Sequence, residues 1–354
     1  MDVLEYLDKF GNIDFEKRSF NDIDNLVFCS LSYLDFTYTS INKSEHTLEF
    51  IGKEYLKITD FKYVKKLGMA QRFGYKLLRK AIKLKRYKDL IVHNYVYSYD
   101  RDKQFSAMMF RINPKLEYIS FEGTDELVSG WKEDFELSYK FPIPAQKDAI
   151  KYVNKYIKIK GPNVIIGGHS KGGNLALVAS MYTNILKQHK IKKIYNNDGP
   201  GLRTKEFESI EYKRIKNKII HFVPEYSIFG ILLRHGTLSV IKSTKKGVFA
   251  HAVATWLVDE NGLISSKLSE RSNLLQENIL MWLRNHSDKE KEKAVTEFFK
   301  IFEDSNVEKV FELSNIQNLR KVLSNAMNVD EHSKKLFIDL IKYNLFNIKE
   351  DNKM

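Results

Sequence analysis

Two hydrophobic patterns alternate along the middle of the chain. Short apolar runs rich in β-branched and aromatic residues predict strands at 91–97, 105–112, 116–121, 164–166, 191–197, 218–223 and 238–243. Between strands the apolar spacing is helical, as in 144–159, where Ala149, Tyr152, Val153 and Tyr156 share one face. Strands alternating with helices predict an α/β fold, with a mostly parallel sheet flanked by helices.

The pattern changes at both ends of this alternating region. Residues 1–90 are mixed and helical, and Asn21 is a capping residue ahead of an apolar run through Leu34. Beyond 262 the helical stripes continue, and Ser287 to Glu290 forms a capping box that opens one helix, with two more predicted to about Ile348. We therefore predict an N-terminal helical segment (1–90) packed on an α/β core (91–262), and an all-helical C-terminal appendage (263–354).

A glycine-dense turn joins the strand at 164–166 to an apolar helical run. It contains G-x-S-x-G, with Gly168 and Gly172 each two residues from Ser170. This is the nucleophile-elbow pattern, in which a sharp strand-to-helix turn exposes a serine and requires small neighbours. The following helix directs free N–H groups at the reacting centre. The motif and its flanking elements together predict that Ser170 is a nucleophile.

A second loop is placed to assist this serine. Acyl transfer builds negative charge on an oxygen, which backbone N–H groups must stabilise. The donors are expected to be the residue after the nucleophile and a residue in a loop that follows an earlier strand. Gly123-Thr124 ends the strand at 116–121. We therefore predict that the N–H groups of Thr124 and Lys171 form the oxyanion hole.

An acid and a histidine follow Ser170 in the chain order of an α/β-hydrolase triad. His251, after the last predicted strand, is the favoured base over the other histidines, which are His169, His221 and His235. Two acids compete to orient it. Asp198 lies in the tight loop Asn-Asp-Gly-Pro-Gly and is favoured, whereas Glu225 ends the next strand and stays open as the alternative.

These motifs carry a family resemblance. F-x-G-T-D (121–125), G-W-x-x-D-F (130–135), G-H-S-x-G-G-x-L-A (168–176) and a late histidine resemble class 3 (fungal-type) lipases. More closely, G-H-S-K-G-G-N-L-A and N-D-G-P-G resemble a bacterial family of uncharacterised lipase-like α/β hydrolases. The resemblance implies an α/β-hydrolase fold, a serine nucleophile, Thr124 in the oxyanion loop and a lid near 125–139. Lys171 departs from the leucine common in class 3 lipases, whose acid follows a later strand.

Charge and composition bear on partners and location. The net charge is +13, and 62–88 holds eleven basic residues and no acid. This stretch predicts an amphipathic helix whose basic face is either solvated or in contact with an anionic membrane surface. Without zinc-ligand spacing, a P-loop or an RNA-binding signature, neither nucleic-acid binding nor a metal or cofactor is expected. The single cysteine, Cys29, and an acidic N-terminus without a signal-peptide pattern favour a cytoplasmic protein.

The sequence therefore predicts a serine esterase or lipase-like hydrolase acting on an acyl ester or lipid. Ser170, His251 and Asp198 would form its triad, and Thr124 and Lys171 its oxyanion hole. The alternative is a lipase-like protein without activity that binds a membrane or a protein partner. The hydrolase prediction requires Ser170, His251 and Asp198 to lie close together in the structure, whereas the binding-protein alternative does not.

Overall fold

The computed structural model describes residues 1–100, 103–124, 128–307, 312, 315–326, 331 and 334–335. Part of the predicted lid (125–127) and most of the helical prediction beyond Ala326 lie outside these residues.

Helices and strands occur in the order that the alternating pattern predicts. The strands are β1 (His46–Thr47), β2 (Ile91–Asp100), β3 (Lys103–Asn113), β4 (Leu116–Phe121), β5 (Asn163–His169), β6 (Ile191–Asn197), β7 (Ile219–Pro224) and β8 (Ser239–Ile241). The N-terminal helices are α1 (Val3–Phe10), α2 (Asp22–Leu31), α3 (Leu48–Ile58), α4 (Phe61–Lys66) and α5 (Met69–Ala81). Those of the core are α6 (Val128–Glu136), α7 (Pro144–Tyr156), α8 (Lys171–Tyr182), α9 (Ile185–Gln188), α10 (Thr204–Phe207) and α11 (Ile210–Ile215). The C-terminal helices are α12 (Glu270–Asn285), α13 (Asp288–Asp304) and α14 (Ile316–Ala326).

The eight strands form one sheet whose spatial order is the chain order, β1 to β8. β1 to β4 are antiparallel to one another, and β4 to β8 run parallel. The fold is therefore the predicted α/β class, with a mostly parallel sheet flanked by helices. The two-residue strand β1 is an addition, because it lies in the segment predicted to be helical and pairs with β2.

Each face of the sheet has its own hydrophobic core. Successive strand residues point to opposite faces, so Tyr118 and Ile165 belong to one core while their neighbours Ile119 and Ile166 belong to the other. Right-handed crossovers that always step in the same direction place their helices on one face. That face holds α7, α8 and α11, whereas α1 to α3 and α5 contribute buried side chains to the other.

The basic stretch 62–88 differs from its prediction. It forms two helices, α4 and α5, and α5 ends at Ala81, so the single amphipathic helix through Leu84 is wrong. Arg86 is buried and its guanidinium donates to both carboxylate oxygens of Asp24, at 2.7 and 2.6 Å. The pair joins the turn after α5 to α2. Arg86 is therefore a structural residue and not part of a basic surface.

Two of the C-terminal helices, α13 and α14, form a third, smaller core. Val295, Phe299 and Phe302 of α13 pack with Val322 of α14. The capping box predicted at Ser287 and Glu290 opens α13. Phe135 of α6 stacks against α13, so the appendage supports α6. None of the described helices combines the length and the hydrophobicity that crossing a membrane requires.

Candidate active site

Ser170 lies in a strained turn between β5 and α8. Its φ is 56° and its ψ is −132°, in a region that side chains other than glycine rarely occupy. Gly168 and Gly172 permit the turn, because a Cβ at Gly168 would overlap the backbone of Gly172, and one at Gly172 would overlap the carbonyl of Phe121 on β4. The predicted elbow geometry is therefore present, and Ser170 is the residue that bears the strain.

Asp198 and His251 lie 53 residues apart in the sequence but are in contact in the structure. Asp198 follows β6 with a φ of 52° and is completely buried, and its Oδ2 lies 2.6 Å from His251 Nδ1. Oδ1 accepts from Ser227 Oγ at 2.5 Å and from the Gly230 N–H at 3.1 Å. Three hydrogen bonds thus hold the carboxylate, and His251 Nε2 is left on the ring edge away from it.

Burial acts on the pKa values of this pair in opposite directions. It raises the pKa of Asp198, an effect that the Ser227 hydrogen bond opposes, and it lowers the pKa of His251. A lowered pKa keeps the imidazole neutral at physiological pH, which is the state that can accept a proton. Burial therefore favours the neutral imidazole of His251.

The remaining acid and histidines occupy other positions. Glu225 accepts from Ser266 Oγ at 2.7 Å, while His221 is buried in β7 and His235 contacts Gln276. His169 is buried between Tyr33, whose hydroxyl is 2.8 Å from its Nδ1, and the His251 carbonyl, 2.8 Å from its Nε2. The His169 and His251 ring centroids are 4.4 Å apart, so His251 lies beside the elbow.

The loop after β4 lies against the elbow. A Cβ at Gly123 would come within 3.0 Å of Ser170 Cβ, so the backbone of this loop touches the serine. Thr124 is buried next to it, and Lys171 is the first residue of α8, whose N–H has no acceptor within its own helix. Both predicted oxyanion residues therefore flank Ser170.

One contact expected of a complete triad is not formed. Among the described residues, no hydrogen bond joins Ser170 Oγ to His251. Hydrogen bonds between catalytic groups are often long in unliganded enzymes and shorten when substrate binds. The structure thus brings Asp198 and His251 into contact and places Ser170 and the Gly123 loop beside them.

A buried ion pair that the sequence did not indicate links this site to α6. The side chain of Lys171 is fully buried and donates to Glu133 at 2.5 Å and to the Gln104 carbonyl at 3.1 Å. Burial raises the pKa of the adjacent Asp134 to about 7, which the charge of Lys171 opposes. Lys171 thus fixes α6, which lies in the predicted lid region, directly to the start of α8.

The fold and this site define a lipase-like α/β protein. Residues 81–300, more than half of the chain, match the Mbeg1-like family model, so the chain belongs to the Mbeg1-like family. A crystal structure of M37 lipase is similar over 58% of this chain and 67% of that one, at 14% identity and a TM-score of 0.36. No curated protein matches the chain. Among the described residues, no group of His, Cys, Asp and Glu side chains is arranged to hold a metal ion.

Proposed function

We propose that this protein is a serine hydrolase that cleaves carboxylic esters through an acyl-enzyme intermediate. The observation that carries the proposal is the buried Asp198–His251 hydrogen bond beside a serine held at positive φ. Membership of a lipase-like family is consistent with it. Neither feature is needed to stabilise an ordinary strand-to-helix turn, and together they supply a nucleophile and a base.

Each residue then has one role. Ser170 Oγ attacks the ester carbonyl while His251 Nε2 takes its proton and passes it to the leaving alcohol. Asp198 holds Nδ1–H and stabilises the imidazolium. The N–H groups of Thr124 and Lys171 bind the oxyanion, each contributing about 3 kcal/mol to the transition state. Water activated by His251 then releases the acid and regenerates Ser170.

Labelling with a fluorophosphonate probe tests the nucleophile directly. We expect covalent modification of the intact protein at Ser170, mapped by peptide mass spectrometry, and its loss in Ser170→Ala. His251→Ala should slow labelling by at least about 100-fold, because the serine then has no base. The matched control is His235→Ala, which removes a histidine outside the Asp198 pair and should leave labelling at the native rate.

The competing function is that of a lipase-like binding protein without activity. A folded protein that never labels, with a cooperative unfolding transition equal to that of Ser170→Ala, would refute the hydrolase proposal. Labelling that persists in Ser170→Ala would also refute it, since another nucleophile would then be responsible.

A further inference from the structure

A cavity of about 430 Å³ opens between the N-terminal helices and the sheet. Its walls come from the segment after α2, from α3 to α5, from β2, and from Glu122 after β4. Its size is within the range of small-molecule sites. It involves none of the residues assigned a catalytic role above.

The inner wall of this cavity is shared with the candidate active site. Glu122 immediately precedes Gly123, the residue whose backbone touches Ser170. Tyr33 lines the cavity and also bonds His169, the residue before Ser170. A Cβ at Gly123 would overlap the Tyr33 hydroxyl. Tyr33 and Glu122 therefore line the cavity on one side and adjoin the backbone beside Ser170 on the other.

The lining is unusually aromatic. Five tyrosines contribute to it, which are Tyr33, Tyr38, Tyr55, Tyr63 and Tyr97. Tyr33 and Tyr55 are buried, while Tyr38 and Tyr63 are exposed at 82% and 53%. Burial raises the pKa of Tyr55 to about 12, so its ring carries a neutral phenol at physiological pH. Such rings present the electron-rich faces that attract organic cations.

The charges in the cavity have the opposite sign to the chain as a whole. Asp35 and Glu122 line it, and none of its described lining residues is basic, although the chain carries a net charge of +13. Asp35 accepts from the Thr37 N–H at 2.9 Å and from the Tyr95 hydroxyl at 3.4 Å. After burial, Asp35 and then Glu122 raise the pKa of Tyr95. The two carboxylates that line the cavity therefore both lie close to the buried Tyr95 hydroxyl behind the wall.

We infer that this cavity is a subsite for an alkylammonium group, so that the preferred esters carry a positive charge on one substituent. The inference rests on the proposed function for its link to Ser170. Tyrosine faces and carboxylates together recognise quaternary ammonium groups, and the same carboxylates repel phosphate and carboxylate groups. The hydrolysis itself is unchanged: the ester C–O bond breaks, the acyl group passes to Ser170 and then to water, and the cation leaves with its substituent.

Two esters that differ in a single atom measure this preference. In acetylcholine the leaving alcohol ends in trimethylammonium, and in 3,3-dimethylbutyl acetate a carbon replaces the nitrogen. We expect the native protein to hydrolyse the cationic ester with a kcat/KM at least about 10-fold higher, measured by acid release at constant pH. Tetramethylammonium should inhibit competitively.

Isosteric variants assign the preference to the cavity. Asp35→Asn keeps an oxygen that can accept from the Thr37 N–H but removes the charge, and the ratio of the two kcat/KM values should fall about 3- to 10-fold. Glu122→Gln should act in the same direction. Glu208→Gln is the matched control, because it removes an exposed carboxylate from the turn after α10 and should leave the ratio unchanged.

The outcomes separate this inference from the proposed function. If the neutral ester is hydrolysed equally well, or if Asp35→Asn keeps the native ratio, the cation subsite is refuted while the hydrolase stands. If no ester reacts and the probe does not label Ser170, the hydrolase fails. Calorimetric titration with tetramethylammonium then decides the subsite: binding weakened in Asp35→Asn supports it, and no binding overturns it.

Discussion

At the scale of single residues, Asp198 bonds both a neighbouring loop and His251. It lies at positive φ in a loop where the Asn196 side chain accepts from the Gly199 N–H and donates to the Gly199 carbonyl, so these bonds hold the loop backbone. Its two carboxylate oxygens have different partners. Oδ1 joins the loop around 227–230, and Oδ2 orients His251.

We expect Asp198→Asn to lower kcat/KM for a neutral ester by about 10³- to 10⁴-fold, because an amide no longer stabilises the imidazolium or the required tautomer. The comparison is Glu225→Gln, which alters a carboxylate bonded to Ser266 and should change activity by less than about 3-fold. Steady-state kinetics and a urea titration of each variant separate chemistry from folding. Equal losses in the two variants would contradict the assignment of Asp198.

The sequence placed Ser170, Asp198 and His251 because each follows a strand, and parallel strands end at one edge of a sheet. It favoured Asp198, which lies in a tight loop, but left Glu225 open, since both residues follow strands and only side-chain packing distinguishes them. The contact between Tyr33 and His169 spans 136 residues and joins a helical segment to the elbow. No local pattern encodes such a contact, because it depends on how α2 lies across the sheet.

At the scale of elements, α6 is held from two sides. Lys171 bonds it to the start of α8, and Phe135 packs it against α13. Hydrophobic patterning predicted α8 and α13 because their apolar residues recur at helical spacing. It did not predict the anchoring of α6, because a lysine in an elbow motif looks like a solvated charge until its acid, 38 residues earlier, is in place.

Lys171→Met should destabilise the protein by about 3–5 kcal/mol, since Glu133 would remain buried without its partner. The double variant Lys171→Met/Glu133→Leu removes both charges and should recover most of that loss. Urea-unfolding free energies of the two single variants and the double variant form the cycle that measures the coupling. Additive effects would show that the ion pair does not fasten α6.

Sequence patterning was also incomplete for the basic stretch. Lysines dominate 62–88, and the apolar spacing from Leu77 to Leu84 among them predicted an amphipathic helix with a basic outer face. Leu67 and Gly68 instead separate two helices, α4 and α5. The last basic residues lie in the turn after α5, where Arg86 forms an ion pair with Asp24. A high density of basic residues therefore does not predict exposure for Arg86, because a buried acid, Asp24, pairs with it.

At the scale of the whole molecule, the region that matches the family model is shorter than the part of the chain that packs on the sheet. The match begins at residue 81, yet α1, α2, α3 and α5 contribute buried side chains to one entire face of the sheet. Leu26, Phe28 and Leu77 are completely buried there. The matched region therefore lacks the helices that cover much of this face of its sheet.

A fragment restricted to residues 81–300 should consequently fail to form a stable monomer, because an apolar sheet face would be exposed. We expect aggregation in size-exclusion chromatography and strong binding of a hydrophobic dye, compared with the full chain under the same conditions. A monodisperse fragment with a cooperative urea transition would show instead that the N-terminal helices are dispensable.

The strand order has a consequence for synthesis. Because β1 to β8 lie side by side in the order in which a ribosome releases them, each strand meets a neighbour that has already been made. The N-terminal helices are in a different situation. They emerge first, with apolar faces that have no sheet to cover until β2 to β6, at residues 91–197, have followed. The first part of this protein to be made is therefore buried only after most of the sheet has been synthesised.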